Sequence, residues 1–65
     1  MFENRLREIR ARRRITQLDL GRKLKTSQAR IWLIENGYTM PRGLEKRKMA
    51  EVLQVDVAEI FPEDL

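Results

Sequence analysis

The sequence contains no cysteine and no histidine, and its 65 residues include only three glycines and two prolines. Disulfides, thiolate nucleophiles, imidazole acid–base chemistry and the usual Cys/His metal sites are therefore excluded. No apolar run approaches the roughly 20 residues that span a bilayer, and the N-terminal Met-Phe-Glu-Asn lacks a signal-peptide core. These absences predict a cytoplasmic protein that is not an enzyme, holds no metal or other cofactor, binds no small-molecule ligand and does not enter a membrane.

The chain length is suited to a single small domain, which we expect to span residues 1–65. A chain of this size buries about 60% of the surface that it exposes when unfolded, so a deep catalytic cleft is not expected. Hydrophobic residues make up 42% of the chain and charged residues 37%. This apolar content suffices for a folded core, and intrinsic disorder is not expected.

The charges are distributed unevenly along the chain. Residues 1–48 contain all 14 Lys and Arg and five acidic residues, a net charge of +9, whereas residues 49–65 contain five acidic residues and no basic one. A basic surface attracts polyanions, and nucleic acid is the commonest polyanionic partner of a soluble domain. An ordinary solvated charged face is the alternative explanation.

Apolar residues at helical spacing predict an all-α fold of five helices. The first helix is expected to run from Glu3 to about Arg13. Thr16 and Ser27 are good N-caps for the second and third helices, because a hydroxyl accepts a hydrogen bond from a free N–H group of the first turn.

The ends of the later helices are indicated by residues that interrupt a helix. Gly37 favours the left-handed conformation that closes the third helix after Asn36. A fourth helix is expected after Pro41, and Asp56 can cap a fifth helix that Pro62 terminates.

The second and third predicted helices fit a helix-turn-helix, because they are short and only about three residues separate them. Gly21 in the second helix predicts the close approach of another helix, for which a side chain would be too large. Leu20 and Leu24 are expected to pack against the isoleucines of the third helix. The first turn of the third helix is thereby left projecting outward, where it could enter a DNA major groove.

With these elements in place, the sequence resembles the lambda-repressor and Cro-like helix-turn-helix family, the xenobiotic-response-element type, over nearly its whole length. The matching stretches are Leu6-Arg7-Glu8-Ile9-Arg10, Ile15-Thr16-Gln17, Leu20-Gly21, Leu24, Ser27-Gln28, Ile31, Ile34-Glu35-Asn36-Gly37, Pro41, Met49-Ala50, Leu53, Val55 and Glu59-Ile60-Phe61. The resemblance implies a compact five-helix domain of a phage or bacterial transcriptional regulator, which binds double-stranded DNA as a dimer.

The resemblance also implies which residues contact DNA. Gln17 resembles the phosphate-contacting glutamine of the family, and Gln28 resembles a glutamine that bonds adenine N6 and N7 at the start of the recognition helix, residues 27–36. For both glutamines, a merely solvated side chain is the alternative. The candidate DNA-contacting residues are Gln17, Ser27, Gln28, Ala29, Trp32, Leu33, Asn36 and Arg42.

Several candidates also have a structural explanation. For Thr16 and Ser27 the alternative to a phosphate contact is a helix cap and nothing more, although one hydroxyl could do both. Trp32 and Leu33 are large apolar residues at outward positions, where they could contact thymine methyl groups, or Trp32 could fold back over the core. Arg10 and Glu35 match a pair that links the first and third helices in relatives, and we expect that structural role for them.

Two departures from the family pattern affect local structure. Lys25 stands where the family usually has glycine, so a strained or altered turn is expected there. Gly43, Lys46 and Arg47 occupy positions that are often apolar in the fourth helix. This predicts a later start for that helix, with its basic residues facing phosphate, or alternatively a solvated cluster of Lys46, Arg47 and Lys48.

The function implied is that of a sequence-specific regulator, a repressor that occupies a palindromic operator as a homodimer, which could form only on DNA. The candidate dimer surface consists of Val57, Ile60, Phe61 and Leu65, with core burial as the alternative for Ile60 and Phe61. The competing hypothesis is an antitoxin-like module that binds a protein partner.

Overall fold

The computed structural model describes residues 2–62 of the chain. Within that range the chain forms five helices and no strand. The helices are α1 (Leu6–Arg12), α2 (Gln17–Lys23), α3 (Gln28–Glu35), α4 (Gly43–Leu53) and α5 (Val57–Ile60). The predicted all-α, five-helix fold is confirmed.

The first helix begins three residues later than predicted. Asn4 precedes it, accepting a hydrogen bond at Oδ1 from the Leu6 N–H (3.0 Å) and donating one from Nδ2 to the carbonyl of Ile34 (2.8 Å). The Phe2 N–H donates to the carbonyl of Gly37 (2.9 Å). Phe2 and Asn4 thus bind the end of α3, and the Arg5 N–H donates to the carbonyl of Ile60 in α5 (2.8 Å), so helical geometry starts only at Leu6.

The predicted N-caps of the helix-turn-helix are confirmed. Thr16 Oγ1 accepts a hydrogen bond from the Asp19 N–H (3.0 Å), and Ser27 Oγ accepts one from the Arg30 N–H (3.1 Å). Asp56 occupies the N-cap position of α5, but its side chain makes no capping hydrogen bond. The predicted capping bond of Asp56 is therefore wrong, and this single-turn helix is anchored by the burial of Ile60.

Helices α1 to α4 all end in the same way, with one residue in the left-handed conformation. At the end of α2, the Lys25 N–H donates to the Arg22 carbonyl (3.1 Å) and the Thr26 N–H donates to the Gly21 carbonyl (2.8 Å), which is a Schellman motif. The four left-handed residues are Arg14, Lys25, Gly37 and Gln54, with φ angles of 56°, 58°, 78° and 58°. The predicted backbone strain at Lys25 is confirmed, because side chains disfavour this region.

The close approach predicted at Gly21 is confirmed, although its partner is the turn and not a helix face. A Cβ atom on Gly21 would lie 3.1 Å from the carbonyl oxygen of Thr26 and 3.2 Å from the carbonyl carbon and oxygen of Ser27. Glycine at this position therefore allows the backbone that enters α3 to lie directly on α2.

A single apolar cluster joins all five helices, and the leucines and isoleucines of the helix-turn-helix contribute to it as predicted. Its buried members are Leu6, Ile9, Leu20, Ile31, Ile34, Met49, Ala50, Leu53, Ile60 and Phe61. Ile60 and Phe61 are fully enclosed, so core burial, the alternative considered for them, holds. They are unavailable to a dimer surface, and Leu65 lies outside the described residues.

The prediction for the start of α4 is wrong. The helix begins at Gly43, with no delay, and Lys46 is buried. The Lys46 ammonium lies 5.4 Å from the centroid of the Phe61 ring, so its aliphatic stem packs inward while its charge meets an aromatic face. Lys46 therefore does not face phosphate, whereas Arg47 and Lys48 are exposed.

Candidate nucleic-acid interface

The candidate interface is built on α3. The contact between α2 and α3 is more extensive than the contact between any other two helices described here. Ile31 and Ile34 face the core from α3, and Leu20 faces it from α2. Since residues of an α-helix are about 100° apart, burial of these two isoleucines turns positions 28, 29, 32 and 33 away from the core.

The inward polar group of α3 is the carboxylate of Glu35, whose side chain is fully buried. The Arg10 guanidinium of α1 binds both of its oxygens, and Arg10 also donates to the Ile15 carbonyl (2.8 Å). Arg7 lies 3.5 Å from the same carboxylate. The structural link expected for Arg10 and Glu35 is thereby confirmed.

Gln17 also binds this carboxylate. Its Nε2 donates to Glu35 Oε1 (3.0 Å), and its Oε1 accepts a hydrogen bond from Gln28 Nε2 at 3.4 Å. An amide nitrogen carries two donors, so Gln17 retains one N–H after binding Glu35. The three residues form a chain from the buried carboxylate to the outer face of α3.

The second charged group of α3, Arg30, pairs with Glu45 of α4. Its Nη2 and Nε donate to the two carboxylate oxygens at 2.7 and 3.0 Å. These hydrogen bonds lower the pKa of Glu45 below its ordinary value, although its partial burial acts in the opposite direction. They likewise raise the pKa of Arg30. Arg30 is thus directed at α4 and away from the outer face.

The outer face of α3 presents one polar side chain and three apolar ones. Gln28 and Ala29 are exposed in the first turn, and Trp32 and Leu33 are 46% and 40% exposed in the second. The structure therefore brings four of the candidate residues together on one surface, which we call the reading face. Trp32 is not part of the apolar core, so its alternative role in covering the core is not what the structure shows.

Trp32 stacks on Tyr38, a residue that the sequence analysis did not single out. The ring centroids are 5.7 Å apart and the ring planes are inclined by only 14°, with Tyr38 61% exposed. Tyr38 follows the left-handed Gly37, and its N–H donates to the Leu33 carbonyl (2.9 Å). A contact between this position and the last turn of the helix commonly accompanies a Schellman motif. The sequence Asn36-Gly37-Tyr38 therefore predicts a contact of Tyr38 with that turn.

The remaining candidates lie around the reading face and are not all on it. Ser27 precedes it as the cap of α3. Asn36 follows it, donating from Nδ2 to the Trp32 carbonyl and accepting at Oδ1 from Arg7, both at 2.9 Å. Arg42 is exposed at the N-cap of α4.

An open groove of about 400 Å³ lies between α1 and the α4–α5 region, but two of its arginines, Arg5 and Arg12, already bind Glu8. Among residues 2–62, no His, Cys, Asp or Glu side chains are grouped as a metal site would require. No helix within the same range is long and apolar enough to cross a membrane.

A short helix laid against a second helix with an exposed outer face defines a helix-turn-helix DNA-binding fold. The family model described as helix-turn-helix matches residues 6–60. The chain belongs to the helix-turn-helix family of the Cro and CI type, a family of DNA-binding regulators, which confirms the resemblance found in the sequence. A search among curated proteins found no match.

Proposed function

We propose that the chain is a sequence-specific transcriptional regulator that binds double-stranded DNA with α3 in the major groove. The observation that carries this proposal is the division of α3 into two sides. Its charged residues, Arg30 and Glu35, are paired with other helices, whereas the reading face is exposed as a unit. A helix of this size fits the major groove, which is about 12 Å wide.

Gln28 is the residue proposed to read a base. After donating one N–H to Gln17, its amide still has an oxygen and a second N–H. These are the two groups that adenine requires, since N6 donates a hydrogen bond and N7 accepts one. The bond to Gln17 also restricts the rotation of the Gln28 side chain before DNA arrives.

Gln17 is proposed to contact a phosphate with its second N–H. This contact would fix the register of the protein on DNA without selecting a base. Ser27, Asn36 and Arg42 surround the reading face, and we propose that they contact the sugar-phosphate backbone or the minor groove. The largest contribution is expected from Arg42, because its guanidinium is exposed and can neutralise a phosphate.

We further propose that two copies bind a palindromic operator and repress transcription by occupying it. A single recognition helix spans only a few base pairs, so specific binding by small domains usually needs two half-sites about 34 Å apart. Val57 remains the candidate dimer contact on α5, because it is only partly buried while Ile60 is enclosed. Pairing could occur only on DNA, which would make binding cooperative in protein concentration.

The test is selection of duplexes from a random pool, followed by anisotropy titrations of the selected duplex and a scrambled duplex at several salt concentrations. We expect an inverted repeat with half-sites near one helical turn apart. On a log-log plot, affinity should fall with a slope of about −0.9 per neutralised phosphate. Arg42→Ala should reduce this slope by about one for each subunit bound.

Failure to enrich any sequence at low salt would contradict the proposal and favour the antitoxin-like alternative. Enrichment of a single half-site, bound by one copy, would support sequence-specific binding and contradict the dimer. Regulation itself is tested by placing the selected duplex in a promoter that drives a reporter gene. Repression predicts a lower signal when the protein is expressed, and an increase would identify an activator.

A further inference from the structure

The reading face has an unusual composition for a surface that must distinguish bases by hydrogen bonds. Three of its four residues, Ala29, Trp32 and Leu33, have no polar group suited to bidentate contact with a base edge. The nearby polar side chains are engaged within the protein: Arg30 with Glu45, and Asn36 with Arg7 and the Trp32 carbonyl. Gln28 therefore supplies most of the hydrogen-bonding capacity of the face.

An apolar side chain in the major groove can distinguish one feature of the bases, which is the methyl group on C5 of thymine. We propose that Trp32 and Leu33 bind the 5-methyl group of a pyrimidine, and that Tyr38 is the positioning residue that holds Trp32 for this contact. The inference rests on the proposed function, since it requires α3 to lie in the major groove. Beyond the proposed function, it identifies the chemical group on DNA that the second turn of α3 recognises.

The spacing along α3 places this contact beside the one proposed for Gln28. Trp32 follows Gln28 by four residues, which is about 6 Å along the helix axis. Successive base pairs are about 3.4 Å apart, so the methyl contact falls roughly two base pairs from the Gln28 contact. A preferred half-site should therefore contain an adenine and a 5-methylpyrimidine at this separation.

Tyr38 acts through Trp32. The left-handed Gly37 turns the chain back, and the hydrogen bond from the Tyr38 N–H to Leu33 fixes the phenol ring against the indole. Stacked rings restrict each other, so the indole presents one face and loses little conformational entropy on binding. A Trp32 side chain without this support would have to be ordered by the DNA.

Trp32 and Leu33 belong to the same surface as the residues proposed to bind DNA, which favours DNA over a protein as their binding partner. Trp32 and Leu33 lie on the same face of α3 as Gln28 and are not separated from it by charged side chains. Arg7, whose side chain is 59% exposed, is hydrogen-bonded to Asn36 at the end of this face and also lies 3.5 Å from the Glu35 carboxylate. An exposed guanidinium at this end of the face suits a surface that lies next to a phosphate backbone.

The proposal carries a consequence for modified DNA. The methyl group of 5-methylcytosine is attached to the same ring carbon as that of thymine, and it projects into the major groove in the same way. If Trp32 and Leu33 contact only the methyl group, 5-methylcytosine should restore part of the affinity that thymine provides. Deoxyuridine, which lacks only the methyl group, should in turn behave as a defective thymine.

The experiment uses the duplex selected above, with each thymine replaced in turn by deoxyuridine. We expect a loss of affinity of about fourfold at one or two positions in each half-site, the value for burying a single methyl group. Replacing the thymine-adenine pair there by cytosine-guanine should weaken binding, and methylation of that cytosine should recover part of the loss. Emission from Trp32, the only tryptophan in the chain, should shift on binding.

Variants connect these effects to the proposed residues. Trp32→Ala and Leu33→Ala should bind thymine and deoxyuridine duplexes alike, while the preference attributed to Gln28 persists. Tyr38→Ala should reduce the discrimination, and Tyr38→Phe should retain it because the stack remains. Leu18→Ala is the matched control, since Leu18 is 43% exposed on α2, and it should leave the deoxyuridine profile unchanged.

The outcomes separate this inference from the proposed function. A selected operator with a flat deoxyuridine profile and unchanged Trp32 emission would overturn the methyl contact while leaving sequence-specific binding intact. If no duplex is selected, both proposals fail, and the stacked rings become a candidate protein-binding surface. Circular dichroism and thermal melting of each variant will establish that altered binding does not arise from unfolding.

Discussion

Arg10 of α1 and Glu35 of α3 form a bidentate ion pair in which the carboxylate is fully buried. Because Gln17 of α2 binds the same carboxylate, the ion pair connects α1, α2 and α3 at the C-terminal end of the recognition helix. Its location explains how a small domain can hold the reading face in one orientation.

Substitution of Glu35 by Gln should lower the free energy of unfolding by about 3–5 kcal/mol, because it leaves the Arg10 guanidinium partly buried without a counter-charge. Urea denaturation measures this difference. The matched control, Glu51→Gln, alters an exposed carboxylate on α4 and should change stability by less than about 0.5 kcal/mol. Equal effects of the two substitutions would show that the buried pair has no special structural role.

Alanine at Gly21 should destabilise the domain by about 1–3 kcal/mol, because the new Cβ meets backbone atoms of the turn that cannot move independently. Gly43→Ala is the control, since its Cβ would have no heavy atom within 4 Å. That change should raise stability by up to about 1 kcal/mol through helix propensity. Thermal melts of the two variants should therefore shift in opposite directions, and a stabilised Gly21→Ala protein would disprove the close contact.

Glycine should stabilise the turns that now hold Arg14, Lys25 or Gln54 in the left-handed conformation. Relief of the Cβ clash is expected to raise the free energy of unfolding by about 1 kcal/mol at each position. Chemical denaturation of the single variants and of the triple variant tests the size and additivity of the gain. Lys48→Gly, within α4, should instead cost about 1 kcal/mol, and a similar loss at the turns would contradict the assignment.

Gln28→Ala should weaken binding to the selected operator by about 1–3 kcal/mol and relax the preference at one base pair. Anisotropy titrations against duplexes altered at each position locate that base pair. Gln17→Ala should weaken binding to cognate and scrambled duplexes by similar factors. If Gln28→Ala also reduces both affinities equally, its base-reading role is wrong.

The ion pair between Arg30 and Glu45 should contribute to stability in a pH-dependent manner. Hydrogen bonds from Arg30 lower the pKa of Glu45 in the folded protein, so its stabilising effect is complete above the ordinary value of 4.5. The effect is lost as the pH falls through the lowered pKa. The difference in Tm between the wild-type protein and Glu45→Gln should be constant near neutrality and disappear in acid. A difference that grows in acid would contradict this sign.

The local signals in the sequence predicted much of the fold. Thr16 and Ser27 cap their helices as expected, because capping depends on a hydroxyl within one turn of the chain. The start of α1 could not be predicted in this way, since it depends on Asn4 reaching the carbonyl of Ile34, which is distant in sequence. Lys46 is a second case, because the Phe61 ring that its ammonium faces is distant in sequence.

The candidate interface was less predictable than the fold. Helical spacing was sufficient to place Gln28, Trp32 and Leu33 on one face. The bond from Gln17 to Glu35 depends on how α2 is docked on α3, and propensities within either helix carry no information about it. Tyr38 lies beyond the end of α3, where helical spacing no longer applies, although its position after Gly37 predicts a contact with the last turn of the helix.

Two of the left-handed residues carry a positive charge that glycine would remove. Arg14 and Lys25 place two of the 14 basic residues at positions where glycine would be better tolerated. Replacing both with glycine would strengthen the folded state while removing two positive charges from a surface that attracts a polyanion over long distances. Glycine at both positions is therefore expected to raise thermal stability and to weaken the electrostatic attraction to DNA.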